Sequence, residues 1–409
     1  MITSPPDTTT REAKRRALLE AVAQIRGTLE AHSEESEAEG KLAQASVDAF
    51  QEAGLYGLKL PAVLGGAEAD PLLQVDVIEA VSRIHPTAGW NLFICGTGIG
   101  LAGAFLPQAA LPAVFSGTQT PIAAGVIRPW GQATPVPGGY RVSGRWPFAS
   151  GIHNAAWFCG GTAAGATVSA QGLKALGATV SAQGAALPGG EIRMIFVPVS
   201  EVTVHDNWQV LGLQGTGSCD ISIDHLFVPQ EMTWVAWENP QRGGPLYRLG
   251  RPAFLAAEHA AFALGAGRLA LDAILALAQR KQRGLMPAAP TIARRPTFQR
   301  DLAEADLKLR AARALLVEIY EDVWATACAG HPLTPQQQVE TRSAACYVTQ
   351  VAAEAAALAY RYGGGEANYL SSMLQRCLRD VYGAAQHQLV SNDAYEEHAQ
   401  GLLGLAGTS

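Results

Sequence analysis

Residues Tyr362 to His398 read YGGGEANYLSSMLQRCLRDVYGAAQHQLVSNDAYEEH. Within this stretch Leu370, Met373, Leu374, Cys377, Leu378, Val381 and Ala385 recur at three- and four-residue steps, the spacing of one apolar face on an α-helix. Arg376, Asp380, Gly383 and His387 follow at intervals of four, three and four. At about 100° per residue they form a second stripe roughly opposite the first. Two readings of that stripe are open. An Arg/Asp pair at i,i+4 followed by a histidine describes a solvated helix face. Gly383 in mid-helix costs about 1 kcal/mol relative to alanine, which points instead to the close approach of another backbone or of a flat ligand.

At 409 residues the chain is too long for one ordinary core and is expected to form two or three domains. Hydrophobic residues make up 48% and charged residues 16%, the balance of a well-packed globular protein. The net charge of -6 and the absence of a basic stripe with interleaved aromatics exclude nucleic acid as a partner. Six cysteines, at 95, 159, 219, 328, 346 and 377, include no C-x-x-C pair, so neither a disulfide framework nor a metal site is indicated and they read as core residues. No apolar segment follows MITSPPDTTTREAKRR, and no long uncharged apolar run occurs. A soluble, cytoplasmic protein without membrane contact is expected.

Helical periodicity from Arg11 to about Ala53 gives way to a glycine- and proline-rich connection through Pro71, resumes over Leu72 to Ile84, and continues beyond the junction at Pro86 as far as Phe105. After Ser116 β-branched and alternating segments take over. Strands are predicted at Ile122–Ile127, Tyr140–Ser143, Ala156–Gly160, Arg193–Val197, Thr203–His205 and Asp220–Val228, enough for a β-sandwich or barrel. The heptapeptide ATVSAQG occurs at Ala166–Gly172 and again at Ala178–Gly184 and reads as a surface hairpin or loop expansion. From Pro252 onward, helical segments near 252–282, 298–328, 335–360 and 367–402 predict a four-helix bundle. The chain is therefore an α+β protein: an N-terminal helical domain over residues 1–117, a central β-domain over 118–235 and a C-terminal helical bundle over 236–409.

Two β-domain stretches carry potential chemistry. In GRWPFASGIHNAAWFCGG, Gly144 to Gly161, Trp146 and Phe148 stand beside Ser150 and Gly151, a combination that holds a planar ring and hydrogen-bonds its polar edge. The same pattern also describes a strand-end turn with core aromatics. In Gly215-Thr216-Gly217-Ser218, backbone amides and two hydroxyls suit a phosphate or a ring carbonyl. No strand–GxGxxG–helix, Walker or G-x-S-x-G context occurs. His153, His205 and His225 show no metal-ligand spacing and read as structural.

With helices, strands and helices in that order, the chain resembles the acyl-CoA dehydrogenase superfamily of flavoproteins over nearly its whole length. The resemblance rests on AGLYGLKLPAVLGG (Ala53–Gly66), GRWPFASG (Gly144–Gly151), LGLQGTGSCDISIDHLFVP (Leu211–Pro229) and LQRCLRDVYGAAQH (Leu374–His387). IHPTAGWN, WPFASG, GTGS and RDVYGAAQH are more similar to the two-component flavin monooxygenases than to the dehydrogenases. Those relatives hydroxylate phenols, indoles and dibenzothiophene-type aromatics through a C4a-hydroperoxyflavin.

The resemblance implies reduced FMN or FAD supplied by a separate flavin reductase, an aromatic or polycyclic substrate, and a homotetramer or homodimer formed through the bundle. It implies His387 beside the flavin C4a position and Ser150 near N5 as catalytic residues. Trp146, Phe148, Ser150, Gly151, Thr216 and Ser218 then line the flavin, and Trp90 and Asn91 the substrate. The dehydrogenases take a carboxylate base eight residues beyond the Arg-Asp pair, and that count from Asp380 reaches Gln388, which cannot act as a base. An acyl-CoA dehydrogenase alternative survives through Glu258, seven residues before Gly265, the spacing from which some dehydrogenases take their base.

Overall fold

A computed structural model describes residues 8–165, 186–187, 190–282 and 290–405. Both ATVSAQG copies lie outside the described residues. The N-terminal helices are α1 (Thr8–Ala31), α2 (Ser33–Glu39), α3 (Gln44–Glu52), α4 (Pro71–Ser82), α5 (Pro86–Phe105) and the short α6 (Leu111–Val114). Asp70 caps α4 by accepting from the Leu72 and Leu73 amides, and Pro71 fills the first turn, where no amide donor is needed. Pro86 plays the same part for α5, so the proline at the predicted junction starts a helix. Nearly every residue of α5 is buried, which makes it the axial helix of this domain.

The β-domain has eight strands among the described residues: β1 (Ala123–Val136), β2 (Gly139–Ala149), β3 (Trp157–Ala164), β4 (Ala186–Leu187), β5 (Gly190–Pro198), β6 (Thr203–His205), β7 (Cys219–Pro229) and β8 (Thr233–Val235). All six predicted strands are present. They are linked by hydrogen bonds in the order β4-β5-β3-β1-β2-β7-β6, with β8 on β5. Alternation explains how one sheet serves two cores. Cys159, Ala163, Met194 and Phe196 face the helices, while Phe158, Ala164, Ile195 and Val197 close a separate core around Trp146.

The C-terminal domain comprises α7 (Ala253–Arg280), α8 (Pro296–Cys328), α9 (Pro335–Gly363), α10 (Met373–Ala384) and α11 (Asp393–Leu402). Thr334 and Gln337 form a capping box that starts α9. Two helices, Pro86–Phe105 and Ala253–Arg280, are long and apolar enough to cross a membrane, but both lie largely inside the protein as core helices.

The predicted helix over 367–402 is broken after Ala384. The Arg342 guanidinium takes the carbonyls of Gln388 and Leu389 at 3.1 and 3.2 Å, away from any helical ladder. The chain tightens there into a 3₁₀ turn, with His387 in an extended conformation just before it. His387 thus leaves the stripe that spacing assigned it.

The rest of that stripe is neither a solvated face nor a ligand surface. Arg376 and Asp380 are buried where three domains meet. Arg376 pairs with Glu37 at 2.6 Å and donates to Ser33 Oγ at 3.2 Å, and Arg379 pairs with the same Glu37. Asp380 Oδ1 accepts the Leu213 amide at 2.7 Å. On the predicted apolar face Leu374, Cys377 and Val381 are buried, whereas Leu370 is 80% exposed because it precedes the helix.

The close backbone approach inferred at Gly383 belongs to Gly212. A Cβ at Gly212 would stand 2.0 Å from the Arg379 carbonyl oxygen, whereas one at Gly383 would meet Gly212 at an ordinary 3.5 Å. Gly212→Ala is therefore expected to lower stability by about 1–3 kcal/mol. Gly383→Ala should be neutral or stabilising by up to about 1 kcal/mol. Urea titration of the two variants checks the contrast.

Burial raises the Asp380 carboxyl to about 6; the Leu213 amide opposes this, Glu37 adds to it, and Arg379 and Arg376 oppose it. The native value lies above the unfolded one, so the proton at Asp380 favours folding. That contribution is complete below about pH 4 and is lost as pH rises through about 6. Asp380→Asn keeps an acceptor for Leu213 and should gain on wild type by on the order of 2–3 kcal/mol between about pH 4 and 6.5, read from urea midpoints across pH.

Candidate active site

Three segments deliver the chemistry. The β2 strand ends at Ala149 and runs into Ser150-Gly151. The 212–218 turn is fixed by Asp380 at Leu213, which adopts a left-handed φ of 57°. The α10–α11 turn presents His387. The two β-loops are joined directly, since the Gly151 amide donates to the Thr216 carbonyl at 2.8 Å. Helix α5 lies against both: Asn91 Nδ2 donates to the Thr87 and Gly215 carbonyls at 3.2 Å each.

Four polar side chains run in series between these elements. Trp90 Nε1 donates to Ser150 Oγ at 3.1 Å, Ser150 Oγ lies 2.7 Å from Ser218 Oγ, and Ser218 Oγ lies 2.6 Å from Thr216 Oγ1. Thr216 Oγ1 donates to the Leu213 carbonyl at 2.8 Å. All four residues are buried.

Around Trp90 stands an aromatic cluster. Its indole lies 5.0 Å from Phe93, 5.0 Å from His259, 5.2 Å from Phe262 and 6.1 Å from His387, centroid to centroid. The two imidazoles are 4.6 Å apart. Crowding by protein, followed by the positive charge of Arg251, pulls His387 down to about 4, although the residue as a whole is exposed. Its Nδ1 accepts the Leu389 amide at 3.2 Å, so the neutral ring carries its proton on Nε2. His259 is buried and is held well below its usual value by desolvation and then by His387, and its Nε2 has no hydrogen-bond partner among the described residues.

Several predicted site residues take other parts. Trp146 is fully buried in the sheet's own core, donating to the Gly161 carbonyl at 2.7 Å and packed on Phe158, so its ring has no surface to offer a flavin. Gly151 serves the turn: its φ is 76°, and a Cβ there would come within 2.6 Å of Cys95 Sγ. Asn91 braces the loops through its amide nitrogen, while its buried Oδ1 has no partner among the described residues. Phe148 stands clear, 66% exposed with a φ of 66°, edge-on to Trp208 at 6.2 Å. A positive φ at a non-glycine residue is local strain, and such strain collects at ligand sites.

Glu258 faces away from this cluster. Its carboxylate is ion-paired with Lys59 and accepts from Thr97 Oγ1 at 3.1 Å, and Lys59 also donates to the Phe254 carbonyl at 2.8 Å. Burial pushes Glu258 up and Lys59 down, and their contact opposes both shifts. A sealed, paired carboxylate is not available as a base. Gln388 is exposed and accepts from Arg128 at 3.3 Å.

Sequence reasoning missed His259, which no motif marks, together with Lys59 and Arg251. It also missed a trio that only folding assembles: His153 Nε2 lies 3.3 Å from Cys219 Sγ beside Asp206. Burial raises the Cys219 thiol, so the trio reads as hydrogen-bonded rather than as a thiolate ligand set. Two surface hollows, of about 430 and 520 Å³, lie elsewhere, one beside Gln51 and Asn154 and the other between Lys308, Glu354 and Tyr382.

The family models for the acyl-CoA dehydrogenase N-terminal and C-terminal domains match residues 12–106 and 257–392. The chain is 30% identical over 359 residues to a pigment production hydroxylase of Rhodococcus sp., covering 85% of each chain. It is 28% identical over 358 residues to an indole-3-acetate monooxygenase of Pseudomonas putida, covering 88% of this chain and 86% of that one. The solved structure of XiaF from Streptomyces sp., in complex with FADH2 and glycerol, superposes with a TM-score of 0.86 at 23% identity over 98% of both chains, a likeness of fold. The chain belongs to the acyl-CoA dehydrogenase family, in its branch of flavin-dependent monooxygenases, oxidoreductases that use reduced flavin and O2.

Proposed function

We propose that this chain is the oxygenase component of a two-component system, hydroxylating a small aromatic or polycyclic substrate of the phenol or indole kind with reduced FMN or FAD received from a separate flavin reductase. The observation that carries the reading is the convergence of Ser150, Trp90, His259 and His387 on one region in which both imidazoles are held neutral. The residues fit a flavin: Phe148 offers an exposed ring, Ser150 and the 215–218 turn offer polar contacts, and His259 Nε2 and Asn91 Oδ1 are polar atoms without partners among the described residues. When bound, reduced flavin supplies two electrons to O2, so that one oxygen atom enters the substrate and the other leaves as water.

Within that frame His387 Nε2–H is a fixed donor, because Nδ1 is committed to the Leu389 amide. It can polarise a substrate hydroxyl or hold a proton beside the reacting oxygen. His259 offers an uncommitted nitrogen to an O–H or N–H group on the substrate. Trp90, Phe93 and Phe262 exclude water around His259. With Glu258 sealed by Lys59 and Gln388 unable to accept a proton, the dehydrogenase alternative lacks a base.

The test supplies chemically reduced flavin, 18O2 and candidate phenols or indoles. One labelled oxygen in the product is expected, and flavin oxidation without labelled product from any such aromatic would sink the assignment. His387→Ala should lower product per flavin oxidised by roughly tenfold or more, with hydrogen peroxide released instead. Unchanged coupling would remove His387 from the mechanism.

A homodimer or homotetramer and a cytoplasmic setting complete the proposal. Tyr369, Leu370, Tyr382, Leu402 and Leu403 are exposed apolar side chains near the end of the bundle domain, which supports self-association there. Light scattering at micromolar concentration should give a dimer or tetramer mass, and a monomer overturns it.

A further inference from the structure

We propose that Ser150, Ser218 and Thr216 form a one-way hydrogen-bond relay that leaves Ser150 able only to accept, and so tunes the site toward a reduced flavin over an oxidised one. The inference rests on the reading above that Ser150 faces the flavin.

The direction follows from the two ends. An indole N–H can only donate and a carbonyl can only accept. Trp90 therefore gives its proton to Ser150 at one end, and Thr216 gives its proton to the Leu213 carbonyl at the other. With its one proton committed, Thr216 must accept from Ser218 across 2.6 Å. Ser218 is then spent as a donor and must accept from Ser150 across 2.7 Å. Each hydroxyl donates once and accepts once. Ser150 is left with a lone pair and no free proton.

Reduced flavin carries a proton on N5, whereas oxidised flavin carries only a lone pair there. The first complements an acceptor; the second needs a donor. Ser150 can donate outward only if the series reverses, and reversal forfeits the bond from Thr216 to Leu213. One net hydrogen bond corresponds to a preference of roughly threefold to tenfold. For an enzyme that must take up reduced flavin and release the oxidised form, that preference has the useful sign. Ser218 and Thr216 act through Ser150 and are positioning residues.

The experiment compares dissociation constants for oxidised FMN and for anaerobic, dithionite-reduced FMN in wild type, Ser218→Ala, Thr216→Val and Ser150→Ala, with thermal melts to confirm folding. Ser218→Ala removes the acceptor for Ser150 and frees its proton, while Thr216→Val keeps the side-chain shape and removes the terminal donor. Each should lower the oxidised-to-reduced ratio of dissociation constants by roughly threefold to tenfold, chiefly by tightening oxidised FMN. A tenfold change corresponds to about 30 mV in the two-electron midpoint potential of the bound flavin. If Ser218→Ala does not fold, the isosteric Thr216→Val reads the same quantity. A ratio that moves in Ser150→Ala but in neither relay variant overturns the relay and leaves the flavin contact standing. Unchanged affinities for both redox forms in Ser150→Ala overturn the contact and the relay together.

Discussion

The bond from the Leu213 amide to Asp380, together with the grip of Arg376 and Arg379 on Glu37, is the constraint on which the site depends. Helix α10 belongs to the C-terminal domain, Leu213 to the β-domain and Glu37 to the N-terminal helices, so a single turn of α10 binds three domains. The Asp380–Leu213 bond fixes the turn that carries Thr216 and Ser218. The helix itself ends within one turn of His387. Side chains from distant parts of the chain can therefore converge without any one loop having to be rigid alone. The price is a buried carboxylate with one oxygen unpartnered among the described residues, and burial lifts Asp380 toward neutrality.

Much of this was legible in residue patterns and some of it could not be. Three- and four-residue steps located the long helices, and alternation located the strands, because both periods are local properties of the backbone. The order of the strands was not legible, because pairing and register are not recorded in composition. The break after Ala384 was hidden for a related reason, since its cause is Arg342 on α9, more than forty residues away in sequence. Trp146 and Phe148 stand two apart on β2 with opposite fates, one sealed in the core and one on the surface. A strand-end irregularity between Trp146 and Ala149 turns the chain there, and no spacing rule reads it. His259 was invisible because a lone histidine on an apolar helix has no signature until its neighbours are known.

The carboxylates explain why a dehydrogenase-type scaffold is suited to oxygen chemistry here. Glu258 is held by Lys59 and Thr97, and the position counted from Asp380 carries an amide rather than an acid. What remains near Trp90 is two imidazoles, three hydroxyls and aromatic rings, with the charge of Arg251 close enough to act on His387. Such surroundings favour positioning and desolvation over proton abstraction from carbon.

Arg342 gives this arrangement a remote control point. Its guanidinium is gripped by Asp393 and Glu397 of α11 while it draws on the carbonyls of Gln388 and Leu389. The same turn aims the Leu389 amide at His387 Nδ1. Two surface acids of α11 are thus joined, through an arginine and the turn it holds, to the amide that occupies His387 Nδ1. The C-terminal helix therefore bears on the geometry of His387 from outside the aromatic cluster.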